Sequence, residues 1–176
     1  MEMIMVSGIE TTKDVIEVAV WIITALASLA GALSLAYVAY TYHLNKKQLN
    51  FSVITSCTER FQRIMGQLKT ANEAERKFTV KQYIDLCNEE LFYFKHKYLP
   101  DEIIDEWIDG MIYYLPHYMG EKNVNESSDY LKEIIEFNLL EDYPKIKNAF
   151  KVDRLYNLSE EEDRKNLVNS VKRNLK

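Results

Sequence analysis

Glycine, proline and cysteine are all scarce in this chain of 176 residues, with 5, 3 and 2 copies. Few glycines and prolines disfavour turn-rich β architectures, and two cysteines are too few for a disulfide-stabilised scaffold. Cys57 and Cys87 also lack the paired spacing of a zinc site. Both fall among apolar residues at helical spacing, so we expect them to be buried free thiols.

Residues that carry enzymatic chemistry are sparse as well. The three histidines, His43, His96 and His117, are not accompanied by a serine or cysteine in a nucleophile turn, and there is no glycine-rich phosphate loop. Acids recur every four residues over 101–109, but metal centres in helical bundles pair Glu with a histidine three residues on. That pattern is missing. The sequence therefore predicts a protein that is not an enzyme and has no metal and no cofactor.

The most prominent feature that the chain does contain is an uncharged run of 25 residues, 18–42. As a helix it would be roughly 37 Å long, enough to cross a bilayer core of about 30 Å. One alternative is a signal peptide, but acids outnumber Lys13 before the run, which also exceeds a signal core of roughly 7–15 residues. The other is a buried core helix, which would need a larger protein around it. We predict a transmembrane helix over 18–43.

The flanks of this run predict its orientation. Lys46 and Lys47 follow the run, whereas the segment before it is net acidic. Because positive charge stays on the cytoplasmic side, we expect residues 1–17 outside and the remainder in the cytosol. The predicted location is the cell inner membrane, crossed once.

Small residues within the run recur at alternating steps of three and four and so share one stripe of the helix. Such residues let helices approach closely, and hydroxyls can bond across the contact. Membrane helices are commonly rich in small residues without self-association, which is the alternative. We expect a homo-oligomer formed through this stripe: Thr24, Ala27, Gly31, Ser34, Val38 and Thr41.

Beyond the run, apolar residues recur at helical spacing, with no strand-like alternation. The predicted fold is all-α: one N-terminal transmembrane helix, then a compact cytosolic domain of about five helices. That domain covers 44–158, and an amphipathic helix over 159–176 follows it. The first cytosolic helix is predicted from one apolar stripe: Phe51, Ile54, Cys57, Phe61, Ile64 and Leu68.

Helix boundaries are predicted from capping residues. Capping boxes are expected at Thr79 and at Ser159, and Ser127 or Ser128 is expected to start a helix that runs to Leu139. The C-terminal helix carries a narrow apolar stripe, which suits docking either on the domain or on a partner. The span either continues into the first cytosolic helix or breaks near Asn45 or Asn50.

Charge is unevenly distributed along the cytosolic part. Residues 46–84 carry eight basic against three acidic side chains, whereas residues 85–142 carry fifteen acidic against four basic. The basic segment could face membrane lipid or receive a phosphate-bearing ligand. A net charge of −5 argues against long nucleic acid but not against a short nucleotide. The candidate ligand-binding residues are Arg60, Arg63, Lys69, Arg76, Lys77 and Lys81, with Arg60 and Arg63 expected opposite the apolar stripe.

Two segments support a resemblance: Y-I-D-L-C-N-E-E at 83–90, and L-P-D-E at 99–102, followed by Trp107. With the preceding span and lysine pair, this layout resembles small single-span prokaryotic membrane proteins associated with antiviral defence. It is similar to the membrane effectors of type III CRISPR systems, which cyclic oligoadenylate gates. The resemblance implies an effector that senses a cyclic oligonucleotide and perturbs the membrane. The alternative is a non-enzymatic tether that recruits a cytosolic partner through the acidic helix or the C-terminal stripe.

Overall fold

The computed structural model describes residues 2–96, 98–124 and 131–175, with side chains from Asp14 onward. This part of the chain is mostly helical, which confirms the all-α prediction, and adds one short β-hairpin. Its six helices and two strands are α1 Glu2–Thr70, α2 Glu73–Lys95, α3 Asp101–Tyr114, β1 Tyr118–Met119, β2 Lys122–Asn123, α4 Glu133–Glu136, α5 Pro144–Ala149 and α6 Glu161–Asn174.

The helix count of six corrects the predicted five. The helix expected to run to Leu139 is reduced to the four residues of α4. Asn138, at φ 49°, adopts a left-handed conformation that ends helical structure there, and Pro144 then starts the separate helix α5. The predicted caps Ser127 and Ser128 lie outside the described residues.

Two compact units make up the structure, Met1–Leu49 and Asn50–Lys176, and the division falls within α1. Helical backbone continues through Asn45 and Asn50, so the break considered above is absent. In the first unit the apolar side chains face outward, with Trp21 74% and Leu35 73% exposed. Among the described residues, α1 is the one helix that is long and apolar enough to cross a membrane.

The second unit is built around α2, whose Val80, Ile84 and Cys87 are fully buried. The predicted α1 stripe is buried at Cys57, Ile64 and Leu68, and is partly buried at Ile54 and Phe61. Phe51 at its start is 71% exposed, so the stripe begins to contact the core only about one turn later. Both cysteines are buried free thiols, as predicted.

The C-terminal helix α6 is part of the core of this unit and packs against α3 and α5. Leu167 and Val171 on its apolar stripe are fully buried. The Asn174 side-chain amide donates to the carbonyls of Ala149 (3.1 Å) and Lys151 (2.8 Å). The stripe is therefore occupied by this chain's own core and is not free for a partner.

Two predicted capping boxes are wrong. α2 starts well before Thr79, because Asn72 accepts a hydrogen bond from the Glu75 N–H (3.0 Å) and Glu75 accepts one from the Asn72 N–H (3.2 Å). The Thr79 hydroxyl instead donates to the Glu75 carbonyl inside the helix. At α6 the cap is Glu160, with no side-chain hydrogen bond, rather than Ser159.

The hairpin follows α3 and was not predicted from the sequence. Gly120, at φ 63°, occupies the first central position of its two-residue turn, where a positive φ favours glycine. The hairpin also joins the rest of the unit, since the Tyr118 N–H donates to Phe150 and the Tyr118 carbonyl accepts from Val152. These backbone bonds hold the hairpin against the segment that follows α5.

Candidate functional site

A cavity of about 300 Å³ lies among α1, α2 and α3 in the second unit. Phe61 from α1, Tyr83 from α2 and Trp107 from α3 form its aromatic walls. Gly110 leaves one wall open, because a Cβ at this position would meet nothing within 4 Å. The volume is at the lower end of the range for small-molecule pockets, roughly 300–1,000 Å³.

The aromatic wall is held by ring contacts. The Phe61 and Tyr83 centroids are 6.3 Å apart, and the Tyr83 ring meets the Tyr114 ring edge-on at 5.8 Å. The ring centroids of Trp107 and of Phe94 on α2 are 6.0 Å apart. Such pairs orient their partners, so the cavity walls are largely fixed before a ligand arrives.

Glu90 is the unusual member of this cavity. It is only 7% exposed, and none of the described residues that line the cavity with it is basic. Burial raises its pKa from 4.5 to about 8, with a smaller contribution from Glu89, while the Arg60 charge opposes the rise. The side chain is therefore mostly a neutral carboxylic acid at pH 7.

Neighbouring groups are affected in turn. Burial raises the pKa of the Cys57 thiol to about 12, and the carboxyls of Glu90 and Glu89 add to that rise. Burial also raises the pKa of Tyr83 and Cys87 well above the ordinary values. A thiolate nucleophile is not available at either cysteine near neutral pH.

Arg60 does not neutralise Glu90, because it is engaged by Glu89. Its guanidinium forms an ion pair with the Glu89 carboxylate, which also accepts a hydrogen bond from the Tyr93 hydroxyl at 2.8 Å. Arg60 thus faces α2, and the expectation that it lies opposite the apolar stripe is wrong. Arg60 is oriented by a tertiary contact, because Glu89 on α2 lies next to it.

The six predicted ligand-binding residues are not gathered at one place. Arg76 forms an ion pair with Glu133 and donates to the Leu68 carbonyl at 3.1 Å. Lys77 lies over the Phe137 ring, 4.6 Å from its centroid. The remaining three, Arg63, Lys69 and Lys81, are exposed, and none of the six lines the cavities described here.

A second, open groove of about 590 Å³ lies where α1 meets α2. Phe78 on its wall is 65% exposed, and the Thr79 hydroxyl is already bonded to the Glu75 carbonyl. The one charged side chain among its described lining residues, Glu75, is exposed, whereas Glu90 is buried. The smaller cavity at Glu90 is therefore the more distinctive chemical site.

Small residues of the predicted oligomerisation stripe lie on the exposed surface of the first unit. Thr24, Ala27, Gly31, Ser34 and Val38 are exposed, and Thr41 is half-buried. The Thr24 and Ser34 hydroxyls donate to the carbonyls four residues before them, at 2.8 Å. Their oxygens remain able to accept a bond from another helix.

Acids of α3 form an exposed face rather than a metal centre in the described part of the chain. Asp105 accepts a hydrogen bond from Lys172 of α6 at 2.6 Å. Asp101 and Glu102 lie at the start of the helix, where carboxylates favour its dipole. The pairing and the helix position account for these residues structurally.

Glu90 is the functional candidate that the sequence reasoning missed. The available signal was its place on the apolar face of α2, seven residues after Tyr83, three after Cys87 and next to Leu91. A carboxyl in the middle of such a face is either paired or unusual. The chain matches no family model, no curated protein and no solved structure, so the interpretation rests on these residues.

Proposed function

We propose that this protein is a membrane-anchored, homo-oligomeric effector whose helical second unit senses a ligand and alters the state of its membrane span. The observation that carries the proposal is the outward-facing apolar surface of residues 18–40. An exposed apolar surface of this extent is unfavourable in water and is typical of a segment that contacts membrane lipid. A separately packed unit follows it and provides cavities and exposed charge. Non-enzymatic action agrees with the strongly raised thiol pKa values.

Orientation and location are part of the same proposal. Lys46 and Lys47 after the apolar run support a cytosolic second unit and an outer N-terminus in the inner membrane. The small-residue stripe from Thr24 to Thr41 supports self-association within the bilayer. Ligand-dependent rearrangement of that contact would change membrane integrity.

The proposed ligand is a cyclic oligonucleotide of the kind used in antiviral defence. Exposed Arg63, Lys69 and Lys81 are available for phosphate contacts. Arg60 and Arg76 would have to exchange Glu89 and Glu133 for the ligand's phosphates, since both are ion-paired in the structure. Membrane lipid headgroups are the competing partner for the same cations.

A thermal-shift assay on the full chain in maltoside micelles tests the nucleotide ligand. Cyclic tetra- and hexaadenylate at tens of micromolar should raise the melting temperature, because a ligand that binds only the folded state stabilises it. The combined variant R63A/K69A/K81A should lose the shift. The matched control K145A/K147A/K165A should keep it, as it removes the same charge elsewhere.

No shift with either nucleotide contradicts this ligand. Retention of the shift in R63A/K69A/K81A contradicts the assigned residues. Release of a trapped dye from vesicles containing the protein then tests the output, with the linear oligoadenylate as control. A shift without dye release would separate sensing from membrane perturbation and would remove the second half of the proposal.

A membrane tether that recruits a cytosolic partner is the second candidate, and the exposed acids of α3 favour it. Because the α6 stripe is buried, deleting residues 159–176 would remove core residues and is not a clean test. Neutralisation in D101N/E102Q changes no buried residue and places no positive charge at the start of α3. It should weaken recruitment of a basic partner, whereas neutralisation of Glu136, on α4, should not.

A further inference from the structure

The geometry points to the cavity around Glu90 as a binding site for an organic ammonium ion, held between aromatic faces and the Glu90 carboxylate. None of the cations proposed for a nucleotide lines this cavity, and the inference does not depend on the effector function. Three observations carry it: an aromatic wall, a buried acid, and the sign of the charge in the cavity.

The aromatic wall supplies the first half of the recognition. Phe61, Tyr83 and Trp107 come from three different helices and surround one volume. The negative faces of such rings attract cations, and quaternary ammonium groups are the ligands that aromatic cages of this kind take. The rings are positioned by contacts with Tyr114 and Phe94, so little ordering is needed on binding.

Glu90 supplies the second half. It lines the cavity and is 7% exposed, and none of the described residues that line the cavity with it is basic. Burial removes most of the water that stabilises a carboxylate, and no cation in the cavity replaces it. A cation entering the cavity would restore that stabilisation.

Charge in the cavity excludes the opposite ligand class. Among the described residues that line it, Glu90 and Glu106 are acidic and none is basic. An anionic phosphate would meet both carboxyls at short range. Both carboxylates attract a cation, and the open space beside Gly110 provides a route into the cavity.

Every titratable neighbour of Glu90 bears on the expected pH dependence. These neighbours are Cys57 and Arg60 on α1, Tyr83, Cys87 and Glu89 on α2, and Glu106 on α3. Arg60 is held by Glu89, and the thiols and Tyr83 stay neutral until strongly alkaline pH. Between pH 7 and 9, Glu90 is therefore the group that changes charge. Its pKa of about 8 means that the carboxylate form rises from about a tenth to about nine-tenths.

Choline is a suitable probe because its positive charge does not titrate, and 3,3-dimethylbutan-1-ol is its neutral isostere. The full chain is studied in maltoside micelles, which carry no ammonium group. The chain has two tryptophans, so the W21F background leaves Trp107 in the cavity wall as the single reporter. Its fluorescence is titrated with each compound at pH 7, 8 and 9.

The expected result is that choline binds at least tenfold more tightly than the alcohol at pH 9. Its affinity should rise about tenfold from pH 7 to pH 9, whereas that of the alcohol should not. In E90Q choline should bind no better than the alcohol, and the pH dependence should vanish. The control E102Q removes the same charge from the surface of α3 and should behave like the parent.

Equal affinity for choline and the alcohol overturns the inference, as does unchanged choline affinity in E90Q. Absence of choline binding at pH 9 also overturns it. The ammonium could come from a free metabolite or from a lipid headgroup, and nanodiscs distinguish these sources. Choline binding that survives in phosphatidylcholine nanodiscs assigns a free ligand. Binding seen with phosphatidylglycerol but competed away by phosphatidylcholine assigns a headgroup.

Discussion

At Glu90 a single carboxyl couples the stability of the fold to pH. The unfolded chain releases this proton near pH 4.5, whereas the folded chain keeps it until about pH 8. In that window the unfolded state binds fewer protons, so the free energy of unfolding falls as pH rises. The slope is about 1.4 kcal/mol per pH unit at most. Below pH 4.5 both states are protonated and the effect disappears.

The variant E90Q should remove this dependence. We expect the stability of E90Q relative to the parent to increase by about 1 kcal/mol for each pH unit between pH 5 and 8. Guanidinium titration of the full chain in micelles, followed by Trp107 fluorescence in the W21F background, measures it. A constant difference over this range would show that Glu90 is ionised in the fold.

Burial raises the pKa of Glu90, whereas it lowers that of His117. Its pKa is lowered to about 4 because burial disfavours the imidazolium, and the ring stacks on Phe150 with centroids 6.0 Å apart. The unfolded state takes up a proton near pH 6.5, so the free energy of unfolding falls as pH drops from 6.5 toward 4. Between pH 4.5 and 6.5 this slope opposes that of Glu90.

The E90Q background removes the contribution of Glu90 to the pH dependence of stability, so that of His117 can be measured alone. There we expect stability to fall by about 1 kcal/mol per pH unit on acidification from pH 6.5 to 4.5. In E90Q/H117Q the same titration should be nearly flat. If both variants lose stability equally on acidification, carboxylates elsewhere in the unit are responsible.

At the scale of the element, α2 depends on a cap that lies seven residues before the predicted one. Asn72 and Glu75 satisfy each other's backbone N–H groups and so begin the helix ahead of the charged stretch. The same start brings Arg76 to Glu133, which joins α2 to α4. Ser159, which has an equally good sequence pattern, does not cap α6.

The paired variants N72A and S159A test this assignment. N72A should lower the free energy of unfolding by about 1 kcal/mol, because it removes one side-chain cap of a long helix. S159A should change it by less than about 0.5 kcal/mol, as expected of a surface position. Guanidinium titration of both variants beside the parent gives the comparison. If S159A destabilised the protein more than N72A, the cap predicted at Ser159 would be correct.

At the scale of the whole molecule, the proposed topology places residue 7 outside the cell and residue 159 in the cytosol. Cys57 and Cys87 are buried, so they should react slowly with a thiol reagent. The S7C variant on spheroplasts should be labelled by a membrane-impermeant maleimide. The S159C variant should be labelled only after lysis, and labelling in the reverse order would invert the orientation.

Much of the fold was predictable because helical periodicity is a local property. Cys57, Ile64 and Leu68 of the predicted α1 stripe are buried as their spacing predicted. Helix ends were less predictable, since several residues near each end have capping chemistry and only one is used. The hairpin at Gly120 and the turn at Asn138 were missed because each depends on the positive φ angle of one residue.

The candidate site divides in the same way. The six basic residues were visible as a charge cluster along the chain, but ion pairing to Glu89 and Glu133 could not be seen there. Those acids lie 29 and 57 residues away from the cations they bind. Charge clustering in sequence therefore overestimated how many cations are free to meet a ligand.

By itself the sequence determined the helical class, the outward-facing apolar run of residues 18–42 and most of the core. These follow from composition and short-range periodicity, which need no knowledge of distant neighbours. Only the tertiary structure decided that the α6 stripe is buried, that Arg60 faces α2, and that Glu90 opens into an aromatic cavity. The reason is physical: burial, pairing and pKa depend on which residues of other helices lie within a few ångströms, and helical spacing leaves that choice open.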